Sequence, residues 1–306
     1  MRKIAIICAS MLLLASNASA SVLFSSYASG GTCGQNVSQS IWDPTISSEY
    51  PRSQISYQCA TPVTGHTKYF QITTVNNQHD GANEYDPNIP LTIGHEYYFG
   101  LFTRFDRING VSVWHDSGSD PESYDKAFEA TNGTRVLVAV GYPDWVGTGI
   151  PGHFTFGLYV FEPYCSSGCI YEQVEPNSSG YTRNNPFVAN YEQWYSVVIG
   201  LVPSNGNVHN GRVQMWVNGI LTHDYQNVKT QDSTSPAWNT LFVGGTTYAQ
   251  PTYDSKAHIR KFDSIIVADS VTDMQNAGLM SDPQSGGGGG GGDTTSPAAP
   301  SGLSVS

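Results

Sequence analysis

The run Gly211-Arg-Val-Gln-Met-Trp-Val-Asn-Gly-Ile220 decides the fold class of this chain. Apolar and polar residues alternate ahead of Asn218-Gly219, the dipeptide most favoured in two-residue β-hairpin turns. Outward from this hairpin, short segments rich in Val, Ile, Phe, Tyr and Trp recur between residues that favour turns. The predicted strands span residues 69–74, 96–105, 111–115, 135–140, 153–161, 194–201, 212–217, 220–225, 240–243 and 259–268.

So many short strands in one chain predict an all-β fold, built as a two-sheet antiparallel sandwich. The pattern contains no amphipathic helix of four turns, only a short helical turn at residues 273–278. It also contains no repeat of fixed period, which argues against a propeller or a solenoid.

The chain carries few charges, and most of them are acidic. Its 306 residues include 14 Lys and Arg against 25 Asp and Glu, so only 13% are charged, where about 25% is typical. Helix bundles and coiled coils are rich in Glu, Lys and Arg, so this composition argues against them. A net charge of -11 without a basic cluster repels phosphate, which excludes nucleic acid as the main partner.

The first 20 residues have the pattern of a secretory signal peptide. Arg2 and Lys3 precede an apolar stretch, and Ala18-Ser-Ala20 is a small-residue cleavage site. Cleavage there removes both basic residues, which leaves 12 basic against 25 acidic residues and a net charge of -13. No other segment is apolar over a membrane-spanning length. We therefore expect a secreted protein, extracellular or periplasmic, without membrane insertion.

The sequence predicts one sandwich domain over residues 21–280 and a Gly-rich linker over residues 281–296. The final stretch, Asp293-Thr-Thr-Ser-Pro-Ala-Ala-Pro-Ser-Gly-Leu-Ser-Val-Ser306, resembles the opening strand of a bacterial fibronectin type III module. Residues 297–306 are therefore the start of such a module or, in the alternative, a disordered tail. We expect a monomer within a modular chain.

Four cysteines remain after cleavage, namely Cys33, Cys59, Cys165 and Cys169. Four cysteines can pair in three ways, and an oxidising compartment favours disulfides. The pairing that closes the shortest loops is Cys33–Cys59 with Cys165–Cys169. A zinc site is the competing interpretation, because Cys165 and Cys169 have a spacing close to that of zinc ligands. No histidine lies close to either pair, which favours disulfides.

The second half of the chain resembles a known family in the order of its motifs. Glu192-Gln-Trp-Tyr-Ser-Val-Val-Ile199 leads into the hairpin quoted above, and Thr240-Leu-Phe-Val-Gly-Gly245 and His258-Ile-Arg-Lys-Phe-Asp-Ser-Ile-Ile-Val-Ala268 follow. This order resembles the concanavalin A-like jelly roll of bacterial polysaccharide lyases and laminin G-like domains. The resemblance covers roughly residues 95–270 and implies a jelly-roll sandwich that handles polysaccharide. Residues 22–94 match no part of it.

Several enzyme classes are excluded by missing motifs. Retaining glycosidases of this fold carry Glu-x-Asp-x-x-Glu on one strand, whereas Glu84-Tyr-Asp86 lacks the second Glu. The Gly-x-Ser-x-Gly, His-Glu-x-x-His and phosphate-binding glycine motifs are also absent from the sequence.

Lyase chemistry needs a base, an acid and groups that stabilise a developing negative charge. Alternation along residues 102–105 places Arg104 and Phe102 on one face, where Arg104 can stabilise charge or pair with Glu96 or Asp106. The resemblance to lyases adds that a Tyr near a Lys on a late strand can serve the active site. The predicted catalytic residues are Arg104, His115, Tyr253, Lys256 and His258.

The predicted substrate-binding residues are Trp145, Gln214 and Arg260. Trp145 lies in a predicted loop, where an aromatic face can stack on a pyranose, whereas Trp216 alternates with apolar residues and is predicted in the core. An acidic substrate also requires local positive charge. The basic residues expected to supply it are Arg104, Arg107, Lys256, Arg260 and Lys261.

An acidic stretch offers one candidate metal site, with Asp116, Asp120, Glu122 and Asp125 as oxygen ligands. Clustered oxygens on a loop suit Ca²⁺, although the spacing is not that of an EF-hand and an acidic solvated loop is the alternative. No cofactor is required by the predicted chemistry. The sequence thus predicts a polysaccharide lyase-like enzyme acting on an acidic glycan, or alternatively a non-catalytic glycan-binding or adhesion module of laminin G type.

Overall fold

The computed structural model describes residues 21–36, 54–60, 62–63, 65–74, 83–85, 89–106, 125–131, 135–141, 153–164, 170–173, 187–206, 208–230, 237–238, 240–243 and 258–283. Its strands are β1 (Val22–Ser26), β2 (Gln54–Gln58), β3 (Tyr69–Thr74), β4 (Asn83–Tyr85), β5 (Ile89–Pro90), β6 (Tyr97–Asp106), β7 (Asp125–Thr131), β8 (Arg135–Gly141), β9 (His153–Tyr164), β10 (Ile170–Gln173), β11 (Phe187–Asn190), β12 (Tyr195–Val202), β13 (Gly211–Val217), β14 (Ile220–Val228), β15 (Ala237–Trp238), β16 (Thr240–Val243) and β17 (His258–Ala268). A 3₁₀ turn spans Ala28–Gly30, and the helix α1 spans Val271–Asn276.

The strands form two large antiparallel sheets, which confirms the all-β sandwich. The first sheet has the order β14-β13-β12-β6-β17-β3-β2, and β1 also pairs with β17. The second has the order β10-β9-β8-β7-β16-β4, and β11 also pairs with β9. A separate pair joins β15 to β5. The predicted strand at residues 111–115 lies outside the described residues.

The core lies between the two sheets. On β6, alternate residues Phe99, Leu101 and Phe105 are buried on the inner face of the first sheet. The Phe105 ring lies 6.3 Å from the ring of Phe156 on β9, and Tyr195 lies 5.6 Å from the same ring. Each fully buried apolar side chain of this kind contributes about 1.5–3 kcal/mol. The inner faces of both sheets therefore pack on one hydrophobic layer.

The outer face of the first sheet is covered by α1 and the residues after it. Met274 and Leu279 are buried against Val198 of β12, and both lie close to Gly100 of β6. Ser270 caps α1, since its Oγ accepts a hydrogen bond from the Asp273 N–H. None of the helical segments in the described part of the chain has the length and hydropathy needed to span a bilayer.

The predicted hairpin is present between β13 and β14. Asn218 and Gly219 have φ angles of 52° and 75°, as a two-residue turn with positive φ at both central positions requires. The predicted disulfide Cys33–Cys59 is also present, with Cα atoms 5.4 Å apart. Cys165 and Cys169, the signal peptide and residues 284–306 lie outside the described residues.

Candidate functional site

Strand ends from both sheets meet at one end of the sandwich. In the first sheet, β6 ends at Asp106 opposite Ile259, beside the first residue of β17, His258. In the second sheet, the register places the start of β7, the end of β8 and the start of β9 together. The contact between Phe105 and Phe156 joins these two sets of strand ends. We call this the Asp106 end of the sandwich.

The chain segments that carry most of the predicted site residues are flanked by strands at the Asp106 end. Residues 107–124 connect β6 to β7, residues 142–152 connect β8 to β9, and residues 244–257 connect β16 to β17. Seven predicted site residues in these segments lie outside the described residues, namely His115, Asp116, Asp120, Glu122, Trp145, Tyr253 and Lys256. The strands on either side of these three segments begin or end close to one another, at the Asp106 end.

Arg104 lies at this end on the outer face of the first sheet, in a cluster with Asp106 and Lys261. Arg104 and Lys261 are opposite each other on β6 and β17. Arg104 Nε donates to Asp106 Oδ1 at 2.5 Å, and Lys261 Nζ lies 2.5 Å from Asp106 Oδ2. The side chains of Arg104, Asp106 and Lys261 are 27%, 13% and 15% exposed. Two cations on one carboxylate leave a net positive charge at this position.

Aromatic rings border the same cluster. The ammonium nitrogen of Lys261 lies 5.3 Å from the centroid of the Tyr69 ring, within the range of a cation–π contact. The Tyr69 ring in turn lies 5.6 Å from the ring of Trp194, edge to face. Trp194 is buried and Tyr69 is half-buried. The cluster therefore combines cationic, carboxylate and aromatic groups at the Asp106 end.

Arg260 is placed on the opposite face of β17. Successive residues of a strand point to opposite faces, so Arg260 faces the core while Lys261 faces outward. Arg260 is 2% exposed, and its guanidinium carbon lies 5.9 Å from the Phe105 ring centroid. Burial lowers the pKa of Arg260 to about 9. Five basic residues were predicted to supply local positive charge. The structure brings Arg104 and Lys261 together, whereas Arg260 points to the opposite face. Arg107 and Lys256 lie outside the described residues.

Gln214 lies on the outer face of the first sheet, near its other end. In the amide orientation that satisfies both neighbours, it donates to Glu96 Oε1 at 2.9 Å and accepts from Arg212 Nη2 at 2.7 Å. Arg212 also holds Asp224 through two hydrogen bonds of 2.8 Å. Because Gln214 is opposite Gly200 while Arg104 lies beside the start of β12, the structure does not bring Gln214 and Arg104 together.

His258 and Asp125 are described by their backbones alone, and each begins a strand at the Asp106 end. Asp125 is the one predicted calcium ligand on a described strand. Among the described residues there is no group of three or more His, Cys, Asp or Glu side chains placed to hold a metal ion. The calcium loop therefore stays a prediction.

One pair of polar residues was missed by the sequence analysis. His66 Nδ1 lies 2.7 Å from Asp263 Oδ2, although the two residues are 197 positions apart in the chain. Asp263 lies on the outer face of β17, two residues from Lys261, and His66 belongs to the stretch that resembled no family. No spacing signal could have linked them, because β17 and the segment before β3 become neighbours only through the fold.

The sequence matches no protein-family model, and no curated protein matches it significantly. Among solved structures, the chain is similar to the alginate lyase Aly36B, with 17% identity over 78% of this chain and 86% of that one and a TM-score of 0.47. It is similar to an endo-β-1,4-glucuronan lyase of the fungus Trichoderma reesei, with 16% identity over 83% and 99% of the two chains and a TM-score of 0.47. It is also similar to the cellulose-induced protein Cip1, with 11% identity over 81% and 97% and a TM-score of 0.47. At these values the likeness identifies neither a family nor an activity.

Proposed function

We propose that this chain is a secreted polysaccharide lyase-like enzyme that cleaves an acidic glycan by β-elimination at the Asp106 end. The observation that supports this proposal is the cluster of Arg104 and Lys261 on Asp106. This cluster lies at the end of the sandwich that carries three connecting segments, those with His115, Trp145 and Tyr253. The strands before and after each of these segments end or begin there. The sequence resemblance to bacterial polysaccharide lyases supports the same activity.

β-Elimination cleaves a uronate polymer without water or a cofactor. A base removes the proton from the carbon next to the carboxylate, the electrons form a carbon–carbon double bond, and the glycosidic carbon–oxygen bond breaks. The leaving oxygen then takes a proton. Negative charge builds up on the substrate carboxylate during this step, and fixed cations stabilise it. We assign this role to Arg104 and Lys261, and we predict that His115 and Tyr253 transfer protons.

The proposal also accounts for how an acidic protein could bind an acidic substrate. The chain has a net charge of -11, so its overall field repels polyanions. Exposed charges separated by more than about 10 Å are largely screened at moderate ionic strength, whereas adjacent groups are not. The local excess of one positive charge at Arg104, Asp106 and Lys261 therefore has more effect on a bound uronate than the distant carboxylates have.

A second candidate function is a non-catalytic glycan-binding module of laminin G type. The observation that favours it is that Asp106 already accepts from both Arg104 and Lys261. Such a carboxylate–cation group, beside the half-buried ring of Tyr69, can bind sugar hydroxyls and stack on a sugar without reacting. In this case glycan binding would occur without any product.

Incubation of the purified protein with alginate, glucuronan, pectate and heparin distinguishes the two functions. A lyase produces unsaturated uronates, which absorb in the ultraviolet. We expect activity on at least one polymer, and a loss of about tenfold to a thousandfold in kcat/KM for Arg104→Gln. The matched control is Arg212→Gln, which removes another Asp-paired arginine from the same sheet face and should keep the wild-type rate. Glycan binding without absorbance on any polymer would support the binding module instead.

A further inference from the structure

The strand β1 begins next to the predicted cleavage site of the signal peptide. Cleavage after Ala20 leaves Ser21 as the first residue, and β1 starts with the following residue, Val22. β1 pairs antiparallel with β17, and the half-buried side chains of Leu23 and Phe24 pack against the hydrophobic core. The first strand of the cleaved chain is therefore an integral part of the first sheet, with a single residue ahead of it.

Ser21 is bound by Asp269, the residue that follows β17. The backbone N–H of Ser21 donates to Asp269 Oδ1 at 2.7 Å, and Ser21 Oγ donates to Asp269 Oδ2 at 3.2 Å. In the opposite direction, the Asp269 N–H donates to the Ser21 carbonyl oxygen at 3.2 Å. Three hydrogen bonds thus join two residues that are 248 positions apart in the chain.

The carboxylate of Asp269 has no cationic side chain as a partner among the described residues. The ion pairs in that part of the chain involve three other aspartates. The helix α1, which follows Asp269, is capped by the side chain of Ser270 instead. The donors that bind Asp269 are the N–H and the hydroxyl of Ser21, and both are neutral as long as Ala20 is attached.

Hydrolysis of the Ala20–Ser21 peptide bond changes one of these donors. The bond between the Ala20 carbonyl carbon and the Ser21 nitrogen breaks, the hydroxyl of a water molecule joins the carbon, and the remaining hydrogen joins the nitrogen. The new carboxyl group releases a proton and the new α-amino group takes one, so at pH 7 the nitrogen carries three N–H donors and a positive charge. At 2.7 Å from Asp269 Oδ1, this nitrogen would meet the carboxylate as a cation instead of an amide.

We propose that cleavage after Ala20 strengthens the fold, because the new N-terminal ammonium of Ser21 forms an ion pair with Asp269 that the uncleaved chain does not have. Asp269 is then the binding site of the mature N-terminus, and the ion pair fastens β1 to the end of β17. The cleaved chain is therefore more stable than the precursor with its signal peptide. This inference is independent of the proposed lyase activity.

A double-mutant cycle tests the ion pair. It compares the chain that begins at Ser21 with one that keeps Ala18-Ser-Ala20 ahead of Ser21, each with and without Asp269→Asn. The asparagine side chain keeps an oxygen that accepts from the Ser21 nitrogen but lacks the charge. We expect Asp269→Asn to lower the melting midpoint of the chain that begins at Ser21 by about 1–4 °C more than that of the extended chain, the size typical of an exposed ion pair in a domain of this kind.

Asp282→Asn is the matched control for this cycle. Asp282 is an exposed aspartate that accepts a hydrogen bond from the side chain of Asn218, at 3.3 Å, and not from Ser21. Its substitution should change the midpoints of both chains by the same amount. An equal effect of Asp269→Asn in the two chains would overturn the proposed ion pair.

Mass spectrometry tests the position of the cleavage. When the full chain is expressed with its signal peptide in a bacterium, the intact mass of the exported protein should be that of a chain beginning at Ser21. A protein that begins at any other residue, Met1 included, would overturn the inference, because the Ser21 nitrogen would then carry no charge. Neither measurement involves polysaccharide cleavage, so a failure of this inference leaves the proposed lyase activity standing.

Discussion

Burial acts strongly on one histidine at the edge of the first sheet. His223 on β14 is opposite Met215 and faces the core, and its Nδ1 lies 3.0 Å from Thr222 Oγ1. Desolvation lowers the pKa of His223 to about 4, from an ordinary value of 6.5. The imidazole is therefore neutral in the folded protein over a pH range in which the unfolded chain protonates it.

This difference makes the stability depend on pH. Between pH 6.5 and about pH 4, the unfolded state binds a proton that the folded state does not, so the free energy of unfolding falls as the pH falls. The loss attributable to His223 reaches roughly 3 kcal/mol, and it is absent above pH 6.5. Denaturant unfolding at about pH 7 and about pH 4.5 should show a smaller decrease for His223→Gln than for the wild type. Equal decreases would contradict the assigned pKa.

The residues of the candidate site differ in how far the sequence predicts them. Arg104 and Asp106 are two positions apart on one strand, so alternation alone places them on one face, and their pairing was one of the predicted alternatives. Lys261 reaches the same carboxylate because of the pairing register between β6 and β17, which single-strand patterns do not contain. His66 and Asp263 depend in the same way on the fold as a whole.

At the level of elements, the packing of α1 on the first sheet depends on a glycine. A Cβ added at Gly100 would lie 3.0–3.2 Å from side-chain atoms of Val198, Leu279 and Met274. These neighbours are buried, so they have little room to move. Gly100 therefore allows the helix to lie close to the sheet.

Substitution of this glycine should loosen the helix. We expect Gly100→Ala to lower the free energy of unfolding by roughly 1–3 kcal/mol, because overpacking displaces Met274 and Leu279. At Gly30 an added Cβ meets nothing within 4 Å, so Gly30→Ala is the matched control and should leave stability unchanged or slightly higher. Thermal melting of the two variants compares them directly, and equal midpoints would count against the packing described.

The disulfide Cys33–Cys59 joins two segments near the edge of the first sheet, 26 positions apart in the chain. A crosslink across a loop of this length stabilises a protein by about 3–4 kcal/mol, chiefly by restricting the unfolded chain. Replacement of both cysteines by serine should therefore lower the melting midpoint, and a reducing agent should lower the midpoint of the wild type by more than that of the variant. An unchanged midpoint in reducing agent would show that the bond contributes little.

Local elements follow from the sequence where the chemistry of a turn is local. Asn218-Gly219 predicts its hairpin because few dipeptides accept positive φ at both positions, and the structure confirms it. The bulge at Ser264 could not be predicted, because serine has no preference for the left-handed region and the shift arises from pairing with β6. The short helix α1, by contrast, lies close to the predicted turn at residues 273–278.

At the level of the whole molecule, the fold class follows from the alternating pattern and the topology does not. β17 pairs with β6, β3 and β1, three strands that are far from it in the chain and from one another. The alternation of apolar and polar residues along β17 is equally compatible with each of these partner strands, so it does not identify the neighbours of β17. The packing of the shared core selects them. The convergence of strand ends at the Asp106 end is a product of this topology, and it determines where the candidate site lies.

The most direct test of the proposed lyase activity is mass spectrometry of the products formed from alginate, glucuronan, pectate and heparin. Each β-elimination leaves an unsaturated uronate on one of the two fragments that it forms, so that fragment is lighter by one water than its counterpart from hydrolysis. We predict such fragments from at least one of these polymers, and their loss in Arg104→Gln but not in Arg212→Gln. Saturated fragments, or no fragments from any of the four polymers, would contradict the assignment.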